Sequence, residues 1–436
     1  MLMKKCAFTI VAKNYIGLAK LLGKSIKNTT QDVDFYIFIA DEIGTNSILN
    51  EDNIFEARKT LHQYTESEWI NMSFKYNLTE FCTAIKPYCF KYLFEDLGYE
   101  KAMYFDPDIY VYSSLNQLYN QLDTYSIIVT PHILYPCMEE DRERVLLQSG
   151  IYNLGYLGLK NNETSLRFLD WWGQKLKKYC FDELLEYTFT DQKWVTLISI
   201  LFPQEEILVS RNIGLNVAPW NFYERKFVEE NGKVKVVCRN KENIADDLVF
   251  VHYSGYNYLS ILDGKIERPR VLEEQVDYPD VDMMMEKYTA AMKSEEQVIR
   301  KYLSLPYTYA FYDNNVRIEK FHRRIYHKLS ESRYFNIMNP YSSSKDSLYS
   351  KFKNHGMISL NQTKVLGKVE MSNTHAGKLL YGFNMLMKII YKLIGYKRYL
   401  MFLRLLKHFC RYESQVFIID NNFMKSNIDI PSKKTL

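Results

Sequence analysis

Short apolar runs alternate with helical patterns through the first 130 residues, and this rhythm constrains the fold more than any other feature. CAFTIVA (6–12) is a strand-like run. GLAKLLGKSI follows and places Leu18, Leu21, Leu22 and Ile26 on one helical face. VDFYIFIA (33–40) is a second run, ending at Asp41-Glu42. TEFCTAIKPYCFKYLF (79–94) reads as helix, with Pro87 at a start or a kink. KAMYFDPDIYVY and SIIVT (126–130) continue the series. Strand-helix repetition of this kind predicts an α/β layer around a mostly parallel sheet. At 436 residues the chain exceeds what one hydrophobic core usually holds, so more than one structural unit is expected.

The first sharp chemical signal is at the end of the third apolar run. Asp106 and Asp108 flank Pro107 in YFDPDIY. Period-two alternation would put both carboxylates on one face at the carboxyl end of strand 101–105, where open parallel sheets bind ligands. Like charges that close are costly unless a cation separates them. Hard oxygen ligands suit Mg²⁺ or Mn²⁺, either of which can also hold a diphosphate. A solvated turn capping the next segment is the plain alternative. A later apolar run, LVFVHYSGY (248–256), ends in His252, Ser254 and Gly255. Imidazole is an acceptable Mn²⁺ ligand, and glycine lets backbone approach phosphate oxygens. A lone histidine in such a place is also commonly structural.

These segments sit within an ordered set: TAIKPYCFKYLF (83–94), YFDPDIYV (104–111), YNLGYLGL (152–159), FLDWWGQKL (168–176), FTDQKWV (189–195), NIGLNVAPWN (212–221) and FVHYSGY (250–256). Over about residues 6–260 the chain resembles nucleotide-sugar-dependent glycosyltransferases of the GT-A fold. It is most similar to the retaining enzymes of glycosyltransferase family eight and related bacterial surface-polysaccharide transferases. The resemblance implies a Rossmann-like domain over 1–270; the residues beyond it read as a helical and loop extension over 271–376 and a basic helical tail over 377–436. It implies that Asp106, Asp108 and His252 hold Mn²⁺ or Mg²⁺. It implies that Asp106 also touches the donor and that Gly255 lies beside the diphosphate. It adds Thr9, Ala12, Asn14 and Tyr15 to the donor-binding residues. Lys86 falls where the family keeps a basic residue that reaches donor sugar or phosphate. Asn153 and Gly155 match the segment lining the sugar pocket, and Asp191 and Gln192 match the pair near the anomeric carbon. The implied reaction moves a sugar from a nucleotide-diphosphate sugar, a UDP-sugar by resemblance, to a glycan or lipid-linked glycan acceptor. Two departures stand out. HYSGYN runs into YLSILDGK without the family's further Gly and Lys-Pro-Trp stretch, and Lys265 is too distant to replace that lysine. Asn153-Leu154-Gly155 replaces the usual Asn-Ala/Ser-Gly.

The residue types fit the chemistry independently. A leaving diphosphate gathers negative charge, which a divalent ion and a lysine offset. Asp191 is the one central carboxylate available to support a sugar cation, and it also fits the N-cap of a helix over QKWVTLISILF. Trp171, Trp172 and Trp194 lie in helical patterns and read as core. Trp220-Asn221, in a loop, suits either a sugar face or a packed turn. Two other classes compete. One is a carbohydrate-binding or scaffold protein that kept the fold without catalysis. The other is a sugar-phosphate nucleotidyltransferase, disfavoured because FTIVAKNYIGLAKLLG has no Gly-rich basic phosphate loop. A net charge of +4, with no basic patch near the acidic pair, argues against nucleic acid. Seven cysteines without a CxxC pair read as reduced cytosolic thiols.

Beyond residue 270 the character changes. PRVLEEQVDYPD reads as a linker, MMMEKYTAAMKSEEQVIRKYLSL as a helix, and DNNVRIEKFHRRIYH as a basic helix capped by Asp313. The stretch 331–376, with SSSKDS and SLNQT, reads as loop. GKLLYGFNMLMKIIYKLIGYKRYLMFLRLLKHFCR (377–411) carries eight Lys or Arg and no Asp or Glu. Leu379, Phe383, Leu386, Met387, Ile390 and Ile394 form one helical stripe, Gly395 breaks it, and Leu400, Leu403, Leu406 and Phe409 begin another. Such a pair fits either an interfacial anchor on anionic lipid, which would place the chain at the cytoplasmic face of the cell membrane, or a hairpin packed on the protein.

Overall fold

The computed structural model describes residues 4–44, 51–137, 142–266, 269, 278–332, 339–358 and 373–423, with side chains from 378 onward in the last stretch. Most of the expected linker 269–280, the SLNQT stretch and the end of the tail lie outside the described residues. The chain divides into two compact units. One comprises Met1–Met72 and Leu78–Tyr309, the other Ser73–Asn77 and Ala310–Leu436.

The first unit is built on a seven-stranded sheet. Its strands are β1 (Lys5–Val11), β2 (Asp34–Ile39), β3 (Ile54–Glu56), β4 (Lys101–Phe105), β6 (Ile127–Pro131), β7 (Tyr152–Lys160) and β10 (Ile207–Val209). Their order is β10-β6-β7-β4-β1-β2-β3. The pairs β1–β2, β1–β4, β2–β3 and β6–β10 are parallel, while β7 runs antiparallel to both β4 and β6. The mostly parallel α/β layer expected from the sequence is therefore present. The chain moves outward from β1 to β2 and β3, then returns to β4 on the other flank of β1. That reversal opens a crevice at the carboxyl ends of β1 and β4.

The two faces of the sheet are packed differently. The helix Ile16–Thr29 lays Ile16, Ala19, Leu22 and Ile26 against Ala7, Val11, Phe35 and Ile37, a layer that is mainly aliphatic at the helix and includes Phe105, Tyr156 and Phe250. The opposite face is aromatic. Phe8 meets Phe90 edge-on at 4.7 Å and Tyr104 at 5.3 Å, and Phe38 meets Phe55 at 5.4 Å. Much of the high aromatic content thus fills the interior, where edge-to-face pairs add to burial.

Smaller sheets complete the unit. β5 (Ile109–Val111) pairs antiparallel with β14 (Phe250–His252). β8 (Asp182–Glu183) pairs with β9 (Thr188–Phe189). β11 (Arg225–Glu230), β12 (Lys233–Cys238) and β13 (Ala245–Asp247) form an antiparallel ribbon. Pro87 occupies the second position of the helix Lys86–Lys91, where its missing N–H costs nothing. The expected helix after residue 280 is two helices, Pro279–Ser294 and Glu296–Leu303, broken at Glu295. Both belong to the first unit, so that unit extends past the sequence boundary at 270.

In the second unit, Phe74, Tyr312, Ile325, Tyr326, Leu348, Phe352 and Val416 share one core. Arg323 Nη1 donates to the carbonyls of Ser73, Phe74 and Tyr76, holding that short segment in place. The basic helix begins at Lys320 with Glu319 as its cap, not at Asp313. Asp313 instead accepts from Ser343 N at 3.0 Å. The last helical stretch, Asn373–Phe409, is interrupted at Gly395, whose φ of 72° and ψ of 168° are not helical. Glycine reaches that conformation without the Cβ penalty. Along this stretch Leu379, Phe383, Leu386 and Leu393 are exposed, whereas Met387 is buried.

Candidate metal and donor site

β4 ends at Phe105 and β5 begins at Ile109. Asp106, Pro107 and Asp108 therefore form a turn between two strands rather than a strand end. Strand alternation does not bring the two carboxylates together, as the sequence had suggested. The turn does so, closed by Ile109 N to Asp106 O at 3.1 Å. Its backbone is fixed on both sides: Asp106 N donates to Gly155 O at 2.8 Å, and Tyr253 N donates to Asp108 O at 2.9 Å. β14 places His252 opposite Ile109. Its Nε2 lies 3.1 Å from Asp108 Oδ1 and 3.7 Å from Asp106 Oδ2.

One ligand atom from each of Asp106, Asp108 and His252 lies within 4.8 Å of the others, the one such cluster among the described residues. Two carboxylates and one imidazole form a donor set that suits Mn²⁺ and is compatible with Mg²⁺. The protonation balance fits a cation site. Burial pushes the Asp106 carboxyl up, against the pull of Lys86 and His252, and it ends above the usual range. Burial acts the same way on Asp108, but the His252 charge and hydrogen bonds from His252 and Tyr258 win, and Asp108 ends below it. Burial would lower His252, yet Asp108's charge and hydrogen bond raise it. The same two carboxylates that favour a charged His252 would favour a bound cation.

Two tyrosines orient the carboxylates. Tyr104 O–H donates to Asp106 Oδ1 at 2.5 Å, and Tyr258 O–H lies 3.0 Å from Asp108 Oδ2. Lys86 is buried beside them. Its Nζ donates to Asp191 Oδ2 at 2.6 Å and to Leu154 O at 2.9 Å, and lies 4.0 Å from the Tyr104 ring centre. Lys86 therefore holds Asp191, with two of its three N–H groups engaged. Asp191 sits at the N-cap position of the helix Gln192–Val195, but its side chain makes no cap hydrogen bond. The lysine takes it instead, so the capping alternative fails. The helix expected over 192–202 is also two short turns, Gln192–Val195 and Ile198–Leu201. Trp172 Nε1 donates to Asp191 O at 3.1 Å, and Gln192 Nε2 donates to Ser149 O at 2.8 Å.

Asn153 and Gly155 adjoin the metal triad. Asn153 Oδ1 accepts from Gly155 N and Asn216 Nδ2, both at 3.0 Å. A Cβ at Gly155 would lie 2.5 Å from His252 Cε1. Tyr15 reaches the surroundings of the triad through Tyr258. Its ring meets Tyr258 at 6.0 Å, and burial with the Asp108 charge pushes its hydroxyl up to about 12. Ala12 and Asn14 bracket the tight turn after β1, with Tyr15 N donating to Ala12 O. Thr9 lies inside β1, fully buried, two residues short of the strand's end. Gly255 is exposed with a φ of +80°. Asn221 does not present its amide to a ligand. It donates to His132 O and Asn216 O and accepts from Ala218 N.

Four neighbours of the site went unassigned in the sequence: Tyr104, Tyr258, His132 and Asn216. His132 follows β6 just as His252 closes β14, so the same signal, a histidine at the end of an apolar run, could have found it. Burial lowers its pKa to about 4, with the His252 charge adding to the effect against backbone groups of Ile151 and Gly150. A histidine with a folded value below its unfolded 6.5 stabilises the protein above 6.5, and that contribution is lost as pH falls toward 4. The shift corresponds to about 3 kcal/mol. Urea unfolding at pH 7.5 and pH 4.5 should therefore show a smaller acid loss in His132→Gln than in the parent. Equal losses would show that His132 does not titrate this way.

No family model matches the chain. Two Bacillus subtilis (strain 168) proteins, both uncharacterized, are similar to it. YfnF is 24% identical over 261 residues, 59% of this chain and 83% of its own length. YfnD is 22% identical over 258 residues, 58% and 78% respectively. Among solved structures, a complex of the galactosyltransferase LgtC with donor and acceptor sugar analogs overlaps 69% of this chain and 97% of its own, at 14% identity and a TM-score of 0.37. The bifunctional glycosyltransferase WbbM overlaps 70% and 52%, at 12% identity and 0.38. The glycosyltransferase GlyE of Streptococcus pneumoniae TIGR4 overlaps 71% and 67%, at 12% identity and 0.35. Overlaps this loose do not assign a function.

Proposed function

We propose that the protein is a metal-dependent glycosyltransferase that moves a sugar from a nucleotide-diphosphate sugar, a UDP-sugar by family resemblance, to a glycan or lipid-linked glycan, with retention, in surface-polysaccharide synthesis. One observation carries the reading: the convergence of Asp106, Asp108 and His252 beside the crevice where β1 and β4 end. The three side chains would hold Mn²⁺ or Mg²⁺. When bound, the ion would screen the charge that builds on the leaving diphosphate. Tyr104 and Tyr258 keep the carboxylate oxygens aimed. Transfer breaks the bond from the anomeric carbon to a diphosphate oxygen, which keeps the electron pair. A bond to the acceptor oxygen replaces it, and the acceptor hydroxyl's proton passes to the leaving diphosphate oxygen.

Asp191 is suited to electrostatic support of the developing positive charge on the sugar. Its contact with Lys86 at 2.6 Å makes it a poor attacking group, because the ammonium already occupies its charge. Asn153, Gly155 and Gln192 shape the wall beside it, and Ala12, Asn14, Tyr15 and Gly255 flank the donor. The reading is tested by nucleotide release from a panel of nucleotide-diphosphate sugars with Mn²⁺ or Mg²⁺. Release from one donor, suppressed by chelator, is expected. No release from any donor with the metal present would favour a sugar-binding protein that shares the fold.

The tail gives the enzyme a means of meeting a lipid-linked acceptor. Many of its apolar side chains are exposed, in a stretch with eight cationic residues over 377–411, a combination that gains from both apolar insertion and anionic headgroups. No helix among the described residues is long and apolar enough to cross a membrane. Co-sedimentation with phosphatidylglycerol-containing vesicles is expected at low salt, with release as salt rises. Protein that stays in the supernatant at low salt would show that the tail serves another purpose.

A further inference from the structure

A histidine that binds metal through one ring nitrogen normally has the other tied by a hydrogen bond, which sets its tautomer and direction. His252 departs from this. Its Nε2 faces the two aspartates, but its Nδ1 is buried and has no hydrogen-bond partner among the described residues. An unmade bond of this kind is costly, so something else must set the ring's direction.

Two contacts are available to do this. At Gly155 the absent Cβ leaves the space the ring uses: a Cβ there would lie 2.5 Å from His252 Cε1 and 2.7 Å from Nδ1. A Cβ would also lie 2.8 Å from Asn153 Oδ1, and real side chains do not approach so closely, so Gly155 is required by the ring and the Asn153 amide and not by its own backbone conformation. The second contact is Trp220. Its ring centre lies 5.2 Å from that of His252, nearly perpendicular at 87°. Trp220 is itself supported by His132, edge-on at 5.4 Å. The segment carrying Trp220 is pinned by Asn221, whose amide joins His132 O and Asn216 O.

Resting on the metal-site reading above, we propose that Gly155 and Trp220 are positioning residues for His252, which aim its Nε2 at the metal by contact where most such histidines use a hydrogen bond. Contact sets direction only while both surfaces are present. Removing the indole frees the ring to rotate, and adding a methyl at 155 drives it away.

The test is Mn²⁺ binding by the full-length protein, followed by the loss of the free Mn²⁺ EPR signal, with thermal melting in chelator measured alongside. Trp220→Ala and Gly155→Ala should each weaken Mn²⁺ binding by about tenfold or more, the range seen when a ligand's supporting partner is removed. Trp220→Phe, which keeps an aromatic edge, should retain most of the affinity. Melting of Trp220→Ala in chelator reports the packing lost with the indole separately, since a purely structural role would lower melting and leave the affinity of the folded fraction intact. Should Trp220→Ala not fold, Trp220→Leu keeps apolar bulk without the aromatic edge and should show the same loss. Parent-like Mn²⁺ affinity in a folded Trp220→Ala or Trp220→Leu protein would overturn the inference alone. A parent protein that binds no Mn²⁺ would overturn the metal-site reading, and the inference with it.

Discussion

Lys86→Ala should destabilise the protein by about 3–5 kcal/mol, because it strands a buried carboxylate. Lys86 and Asp191 are 1% and 3% exposed and stand 2.6 Å apart. With the ammonium gone, Asp191 keeps a 3.2 Å hydrogen bond from Thr190 O–H but has no cation against it. The Leu154 carbonyl also loses the lysine as a donor, and Tyr104 loses the cation over its ring. Lys86→Met combined with Asp191→Asn removes both charges and should recover much of the loss. Urea midpoints of the two variants and the parent give the comparison. A Lys86→Ala midpoint equal to the parent's would mean that the pair is not the buried partnership described here, and that Lys86 is free to serve a donor directly.

The second large effect is on function. Asp108→Asn preserves shape but removes one of the two negative charges. It also removes the strongest electrostatic partner of His252, the group that raises its pKa. Transfer should fall by about a thousandfold, the scale of several kcal/mol of lost electrostatic stabilisation. Melting should fall modestly, because the pairing with His252 that holds Asp108 below the usual carboxylate range is lost while the repulsion of Asp106 is relieved. Undiminished transfer by folded Asp108→Asn protein would show that an ion held there is not catalytic.

What the sequence made legible follows from periodicity and local chemistry. β4 appears where the apolar run 101–105 placed it. The break at Gly395 is visible because glycine has no other reason to interrupt a long apolar-basic pattern. His252 joins the aspartates through β14 pairing with β5, a contact about 145 residues long in sequence that no local pattern encodes. For that reason the triad was reached from the sequence through family resemblance and separate strand-end signals. Tyr104 was hidden because a tyrosine inside an apolar strand reads as core, and it is core; its hydroxyl alone reaches Asp106. The partnership of Lys86 with Asp191 was hidden because two opposite charges 105 residues apart look like two independent ligand-binding groups. Asp313 misled because an aspartate before a helix is a sound cap signal, while Ser343 supplied a competing backbone donor.

The central claim is that Asp106, Asp108 and His252 form one metal site. Its most direct test is a crystal of the full-length protein soaked with Mn²⁺ and measured at the manganese absorption edge. The account predicts one strong anomalous peak bounded by Asp106, Asp108 and His252 Nε2. No peak there at saturating Mn²⁺, or a peak held by other residues, would contradict it.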